Sequence, residues 1–182
     1  MSVADSLPST VADVTVRRLG HRDAEAFAEG TEDPAVKQYG HLPLAEYTPQ
    51  VVRDQVDGII AQGLDEGFLA VLAIADEETD EFLGSIVLFD FRADRAEVGF
   101  WLAPQARGRG AAQNALQAIA RIAADAGLTY LDARTSPEND GSRRVLEDAG
   151  FTQTADAHDE TAPSGEVATV VTYERSLINA RV

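Results

Sequence analysis

The 182-residue chain contains no cysteine. That excludes disulfides, thiolate metal sites and a cysteine nucleophile, and leaves an ordinary cytoplasmic protein as the expectation. Histidine is scarce too. His21, His41 and His158 lie far apart and lack the spacing of a metal-binding helix, so each is expected in a loop or on the surface, and no metal is expected. Long hydrophobic runs are missing. The longest, residues 68–75, is far too short to cross a bilayer, and the opening MSVADSLPSTVAD has neither the charged nor the apolar segment of a signal peptide. Lysine is almost absent, with Lys37 the one exception among 15 basic residues. Against these stand 31 acidic residues and a net charge of −16. Such a field repels nucleic acid and acidic membranes and attracts a cationic partner. The same acidity also suits solubility or high intracellular salt, and both readings stand.

At this length one domain is expected, over residues 13–178, preceded by a small, polar, mobile tail at 1–12. No internal repeat or linker divides it. A first strand at 14–18 leads to helical stretches at 22–28 and from Pro34 towards Tyr39. Thr48-Pro49 caps a helix whose buried stripe is Val52, Val56, Ile59 and Ile60, ending at Gly63. Apolar runs at 68–75 and 82–89 flank an acidic turn and read as an antiparallel hairpin, continued by a strand at 97–102. A strand at 130–135 follows a helical crossover and is therefore expected parallel to it. Asn139 caps a short helix at 140–149, buried through Val145, Leu146 and Ala149; a strand begins at 151–154, a long exposed loop fills 155–165, and a β-branched strand closes the sheet at 167–174.

The chemistry concentrates between Glu97 and Ala126. Val98, Phe100 and Leu102 alternate with Glu97, Gly99 and Trp101, and an amphipathic helix starts near Ala112. Between them lies Gln105-Ala-Arg107-Gly108-Arg109-Gly110. Glycines let the backbone approach a ligand, and the first N–H groups of the helix carry the positive end of its dipole, which suits phosphate. A flexible basic turn that binds nothing is the plain alternative. A Rossmann turn fits poorly, because its third small residue would be Gln113. Arg107, Arg109, Arg143 and Arg144 are the local cations that can hold an anion against the global field.

Gln-x-x-Gly-x-Gly in this setting resembles the pyrophosphate-binding motif of the GNAT superfamily of N-acetyltransferases. Residues 138–151, with Asn139, Ser142, Leu146, Glu147, Gly150 and Phe151, resemble the Asn-x-x-Ser-x-x-x-Leu-Glu-x-x-Gly-Phe segment of its RimJ/RimL-type branch, related to ribosomal-protein N-terminal acetyltransferases. Val16-Arg17-Arg18-Leu19 and Asp33-Pro34-Ala-Val36 resemble that branch's opening segments. The resemblance implies an α+β fold, a three-layer sandwich with a mixed, mostly antiparallel sheet and helices on both faces. It implies acetyl-CoA as co-substrate, with Leu102 and Ala103 offering backbone groups to the pantetheine arm and Arg107, Gly108, Arg109, Gly110, Ala111, Ala112 and Asn139 meeting the rest. Glu97 is then the general base and Ser142 the acid, since Leu146 stands where many members have tyrosine. The acceptor is a primary amine, on a protein or peptide N-terminus or on a small molecule such as an amino sugar, polyamine or antibiotic. Tyr39, Tyr47 and Phe68 are candidate contacts, and the chain is expected as a monomer or homodimer. The rival of another class is a noncatalytic acyl-CoA-binding module.

Overall fold

Alternating apolar residues give this chain a sheet that is buried on both faces. The structure, a computed structural model, describes residues 1–40, 42–161 and 165–178. Eight strands are described: β1 (Ser9–Val11), β2 (Val14–Arg18), β3 (Ala70–Asp76), β4 (Phe82–Arg92), β5 (Arg95–Leu102), β6 (Tyr130–Thr135), β7 (Thr152–Thr161) and β8 (Val167–Ser176). They lie in the order β1-β2-β3-β4-β5-β6-β8-β7. Every neighbouring pair is antiparallel except β5 and β6, which run parallel because a helix carries the chain from one to the other. The mixed sheet expected from the sequence is therefore present.

That crossover helix, α5 (Ala111–Asp125), covers one face. Its Ala115, Leu116, Ile119, Ile122 and Ala123 pack with Val16, Leu72, Ile86 and Val98, and Leu146 of α6 (Asp140–Asp148) joins the same cluster. The opposite face carries α1 (Ala24–Thr31), α2 (Pro34–Tyr39), α3 (Pro49–Gln55) and α4 (Ala61–Glu66), with a π-helical turn at Val56–Ile60 between the last two. Phe27 of α1 meets the Trp101 ring edge-on at 5.2 Å. Gly30, one turn later, has to be glycine, because a Cβ there would lie 2.4 Å from that indole.

Four sequence expectations need correction. Residues 1–12 are no simple tail: Ala4–Ser6 form a 3-10 turn, Val3 is buried, and β1 pairs with β2. Gly63 does not end its helix. It packs against Leu69, whose Cβ would be 2.6 Å from an added side chain, and the chain reverses at left-handed Gly67 instead. The π-turn rotates Ile59 out of the stripe, leaving it 45% exposed, whereas Val52 and Ile60 are buried as expected. Residues 155–161, expected in a loop, continue β7 because the β-branched β8 supplies partners for Ala155 and, after a register shift, for His158, Asp159, Glu160 and Thr161. His41 and Pro163 lie outside the described residues.

α1 is anchored to the sheet by a buried ion pair. Arg17 on β2, 9% exposed, makes bonds of 2.9 and 3.0 Å to both oxygens of Asp23, 3% exposed, just before α1. Removing one partner strands a buried charge. Arg17→Ala is therefore expected to destabilise the fold by about 3–5 kcal/mol, measured as a fall in the urea unfolding midpoint at unchanged slope. A loss within about 0.5 kcal/mol, the range of ordinary surface substitutions, would show that this pair does not anchor α1.

Candidate active site

The site begins where two parallel strands stop pairing. Register partners between β5 and β6 run Arg95 with Tyr130, Ala96 with Leu131 and Glu97 with Asp132; beyond them β5 continues to Leu102 and β6 to Thr135. On its other side β5 stays hydrogen-bonded to β4. The Ala103 N–H donates to the Leu83 carbonyl at 2.9 Å, so by antiparallel alternation the backbone groups of Val98, Phe100 and Leu102 face the gap towards β6. This corrects the expectation for Ala103: its amide is already used, and the residue does not line the cavity. The gap opens into a cavity of about 1060 Å³ that reaches both sheet faces.

The glycine turn closes one end. Gly108 and Gly110 have φ of 78° and 81°, which favour glycine, and no atom lies within 4 Å of where their Cβ atoms would be. Space at that point is open to a ligand. The first intrahelical bond of α5 runs from Asn114 N–H to the Gly110 carbonyl, so the amides of Ala111, Ala112 and Gln113 point out of the helix start. Gly108, Gly110, Ala111 and Ala112 all line the cavity. Arg107 lines the cavity as well, and both arginines of the turn lie against carboxylates. Arg107 donates to Asp33 Oδ1 at 2.6 Å and to the Leu102 carbonyl at 2.9 Å, and this bond holds the Asp33 carboxyl below its usual range. It ties the turn to the capped start of α2. Arg109 lies 3.9 Å from Asp76 and outside the cavity wall. Arg144 of α6 does line the cavity, and makes no ion pair among the described residues.

Across the gap, Asn139 caps α6 as expected, its Oδ1 accepting from the Ser142 N–H at 3.1 Å. Its Nδ2 donates to Ser142 Oγ at 3.0 Å, which leaves the hydroxyl hydrogen of Ser142 to be donated elsewhere. Asn139 and Ser142 both line the cavity, and Leu146 is buried below them.

Glu97 sits at the point of parting, only 7% exposed. Burial pushes its carboxyl above the ordinary 4.5, and Arg134 on β6 pulls in the opposite direction by donating Nε to Oε1 at 2.8 Å. Arg134 in turn bonds Glu160 of β7, and His158 Nε2 lies 2.6 Å from Glu160 Oε1. His158 is held above its usual pKa, first by the Asp156 carbonyl and then by Glu160. Sequence reasoning missed Arg134 and Glu160. The strand that brings Glu160 to Arg134 has polar residues on both faces, so its one signal was the β-branched partner run in β8. Tyr39 and Tyr47 line the helix-covered side of the cavity, whereas Phe68 does not.

Comparison with known proteins places this arrangement. The family model for the acetyltransferase (GNAT) domain matches residues 13–152. The chain belongs to the GNAT acetyltransferase family. No match is found among curated proteins. Solved structures agree on the fold. A GNAT-family acetyltransferase of Bacillus anthracis superposes with a TM-score of 0.77 at 22% identity, covering 94% of this chain and 99% of that one. RimJ of Mycobacterium smegmatis, solved with CoA-disulfide, gives 0.76 at 19% identity, covering 94% and 88%. A spermidine N-acetyltransferase SpeG chimera from Vibrio cholerae and hSSAT gives 0.71 at 16% identity, covering 93% and 98%.

The burial of Glu97 has a measurable consequence in this GNAT protein. Because the folded state binds its proton more tightly than the unfolded chain, this group's contribution to stability is present below 4.5 and is lost as pH rises through the higher folded value. Glu97→Gln cannot ionise. The difference in unfolding free energy, wild type minus variant, is expected to fall across that interval in urea titrations. A pH-independent difference would mean that the carboxyl is not perturbed by burial.

Proposed function

We propose that this GNAT protein transfers an acetyl group from acetyl-CoA to a primary amine by direct attack within a ternary complex. The observation that carries the reading is the placement of Glu97 where β5 and β6 part, at one end of a cavity whose other end is the open, positive-φ turn at the start of α5. The turn fits a pyrophosphate: its glycines leave room for close approach, and three amides are aimed out of the helix start. Gly108, Gly110, Ala111 and Ala112 would hold the phosphates, Arg144 would add charge, and Leu102 and Phe100 would present backbone groups to the pantetheine arm. RimJ of Mycobacterium smegmatis, a structure of this fold, was solved with a CoA species. Acetyl-CoA supplies the acetyl thioester; the protein supplies geometry and proton transfer.

Glu97 takes the proton of the incoming ammonium. A carboxylate raised by burial is a better base than an exposed one, and with Oε1 occupied by Arg134, Oε2 remains for the amine. The neutral nitrogen then attacks, the carbon–nitrogen bond forms, and the gap-facing N–H groups of β5 meet the charge developing on the carbonyl oxygen. As the carbon–sulfur bond breaks, the nitrogen's second proton moves to Ser142 Oγ while the sulfur gains the hydroxyl proton, and Glu97 releases the first proton to solvent. The hydroxyl hydrogen of Ser142 is not used by Asn139. With no cysteine in the chain, no acetyl-enzyme on sulfur intervenes.

Two variants test the two ends of the cavity. Gly110→Asp places a carboxylate at the mouth of the turn, in a backbone conformation aspartate tolerates, and is expected to weaken acetyl-CoA binding by orders of magnitude in calorimetric titration of folded protein. Unchanged affinity would remove the turn from the site. Glu97→Gln is expected to lower kcat by about 10²- to 10⁴-fold near neutral pH, with the deficit shrinking as the acceptor deprotonates in solution. Acetyl-CoA thiol release is the readout. A deficit constant across pH would assign Glu97 to binding the ammonium instead of deprotonating it.

A further inference from the structure

The face of the cavity under the helices α1 to α4 has a definite shape beside Glu97. Along β5 the side chains on this face are Glu97, Gly99 and Trp101, and their partners on β4 are Phe89, Val87 and Ser85. Gly99 has no side chain, so the floor dips there. A Cβ at that position would already come within 3.2 Å of Val87 Cγ1 and 3.7 Å of Phe89 Cε1. Gly99, Val87, Phe89, Trp101 and Glu97 all line the cavity, so the dip opens into it as a shallow notch with Val87 and Phe89 close against one side and Trp101 and Glu97 as its neighbours along β5. Val71, the register partner of Val87, extends the apolar floor, and Ile59 reaches the cavity from the π-turn above it. The backbone of Gly99 does not need glycine, since its φ lies outside the left-handed region that the other glycines occupy. Glycine at this position spares Val87 a close contact and leaves this part of the cavity floor low.

Charge on the same face is sparse. Among the described lining residues the carboxylates are Glu97, Glu160 and Asp148, and Asp148 is on α6, across the sheet. Glu97 and Glu160 share Arg134, and Asp90, which also acts on Glu97, is paired with Arg92, so with His158 neutral the group carries a single net negative charge. One ammonium is balanced there. A second ammonium a few bonds away would meet Val87, Phe89 and Val71, where desolvation of a charge is unfavourable.

We propose that the acceptor is a monocationic primary amine carrying an apolar group on the carbon beside the nitrogen, with the amine at Glu97 and the apolar group in the Gly99 notch. This rests on the acetyl-transfer reading above and narrows its substrate class. An N-terminal residue with a large apolar side chain has this chemistry, and so does a free branched or aromatic alkylamine. Polyamines and amino sugars do not.

The test measures kcat/KM by thiol release from acetyl-CoA across four acceptors: a peptide beginning with leucine or phenylalanine, the same peptide beginning with glycine, a free amine of matched apolar group, and spermidine. The two apolar acceptors are expected to exceed both the glycine peptide and spermidine by at least about 10-fold, the discrimination apolar pockets ordinarily reach. A higher rate for the peptide than for the free amine assigns the source to polypeptide N-termini, and the reverse assigns it to small molecules. Gly99→Val fills the notch, and the ratio of kcat/KM for apolar over glycine acceptors is expected to fall about 10- to 100-fold. Val87→Ala enlarges the notch without adding atoms to the core, and moves the same ratio in favour of the larger apolar acceptor if Gly99→Val does not fold. Turnover of spermidine equal to or above the apolar amines overturns the proposal, as does an unchanged ratio in a folded Gly99→Val or, where that variant does not fold, in Val87→Ala. Binding of acetyl-CoA with no thiol release to any acceptor overturns the acetyl-transfer reading itself, and the two failures are thereby distinct.

Discussion

A sheet strand normally satisfies its backbone on both sides, and β5 of this protein does so for only part of its length. Towards β4 the ladder, irregular between Phe89 and Arg92, runs in register from Glu97 to Leu102, whereas towards β6 it stops at Glu97. Helix α5 enforces this: it must start at the end of β5, cross the sheet and return the chain parallel to it, and its N-terminus therefore lies beside the opening. Everything chemical in the molecule is arranged around that partial pairing. The amides that would meet phosphate, the β5 backbone that faces the gap, and the carboxyl at the last paired position all come from a stretch of chain that is continuous in sequence.

Electrostatics must then reconcile an anionic co-substrate with a chain of net charge −16. The reconciliation is local. Backbone amides at a helix start carry no titratable charge, and they are held in place by an arginine, Arg107, whose own charge is neutralised by Asp33. A similar logic applies around Glu97, where Arg134 bonds both Glu97 and Glu160 and reduces their charge to one net negative. Amide dipoles and local ion pairs thus act at short range, while the net negative charge of the chain favours a cation at long range.

Much of this was legible in the sequence, for identifiable reasons. Periodicity and turn residues revealed β3 to β6, α5 and α6, because each has one clearly apolar side. Motif spacing singled out Gly108, Gly110 and Asn139, which the fold brings to the wall of one cavity. What escaped was long-range pairing between polar groups: Asp33 with Arg107, and Arg134 with Glu160, separated by 74 and 26 residues. An ion pair leaves no periodic trace. The same holds for β7, whose polar residues on both faces read as a loop, and for Ile59, displaced by one extra residue in the π-turn at Val56–Ile60. Gly99 was visible in the sequence, yet only the register with Val87 and Phe89 shows what its missing side chain provides.

The two strands that end the sheet differ from those inside it. β1 is three residues long, and β7, at ten residues, carries Asp156, His158, Asp159 and Glu160 along its length. A long row of exposed N–H and C=O groups invites another strand to extend the sheet, and short or charged edges discourage it. Strand addition is thus disfavoured at both rims. With a net charge of −16, bringing two helix faces of this chain together carries a repulsion that salt screens.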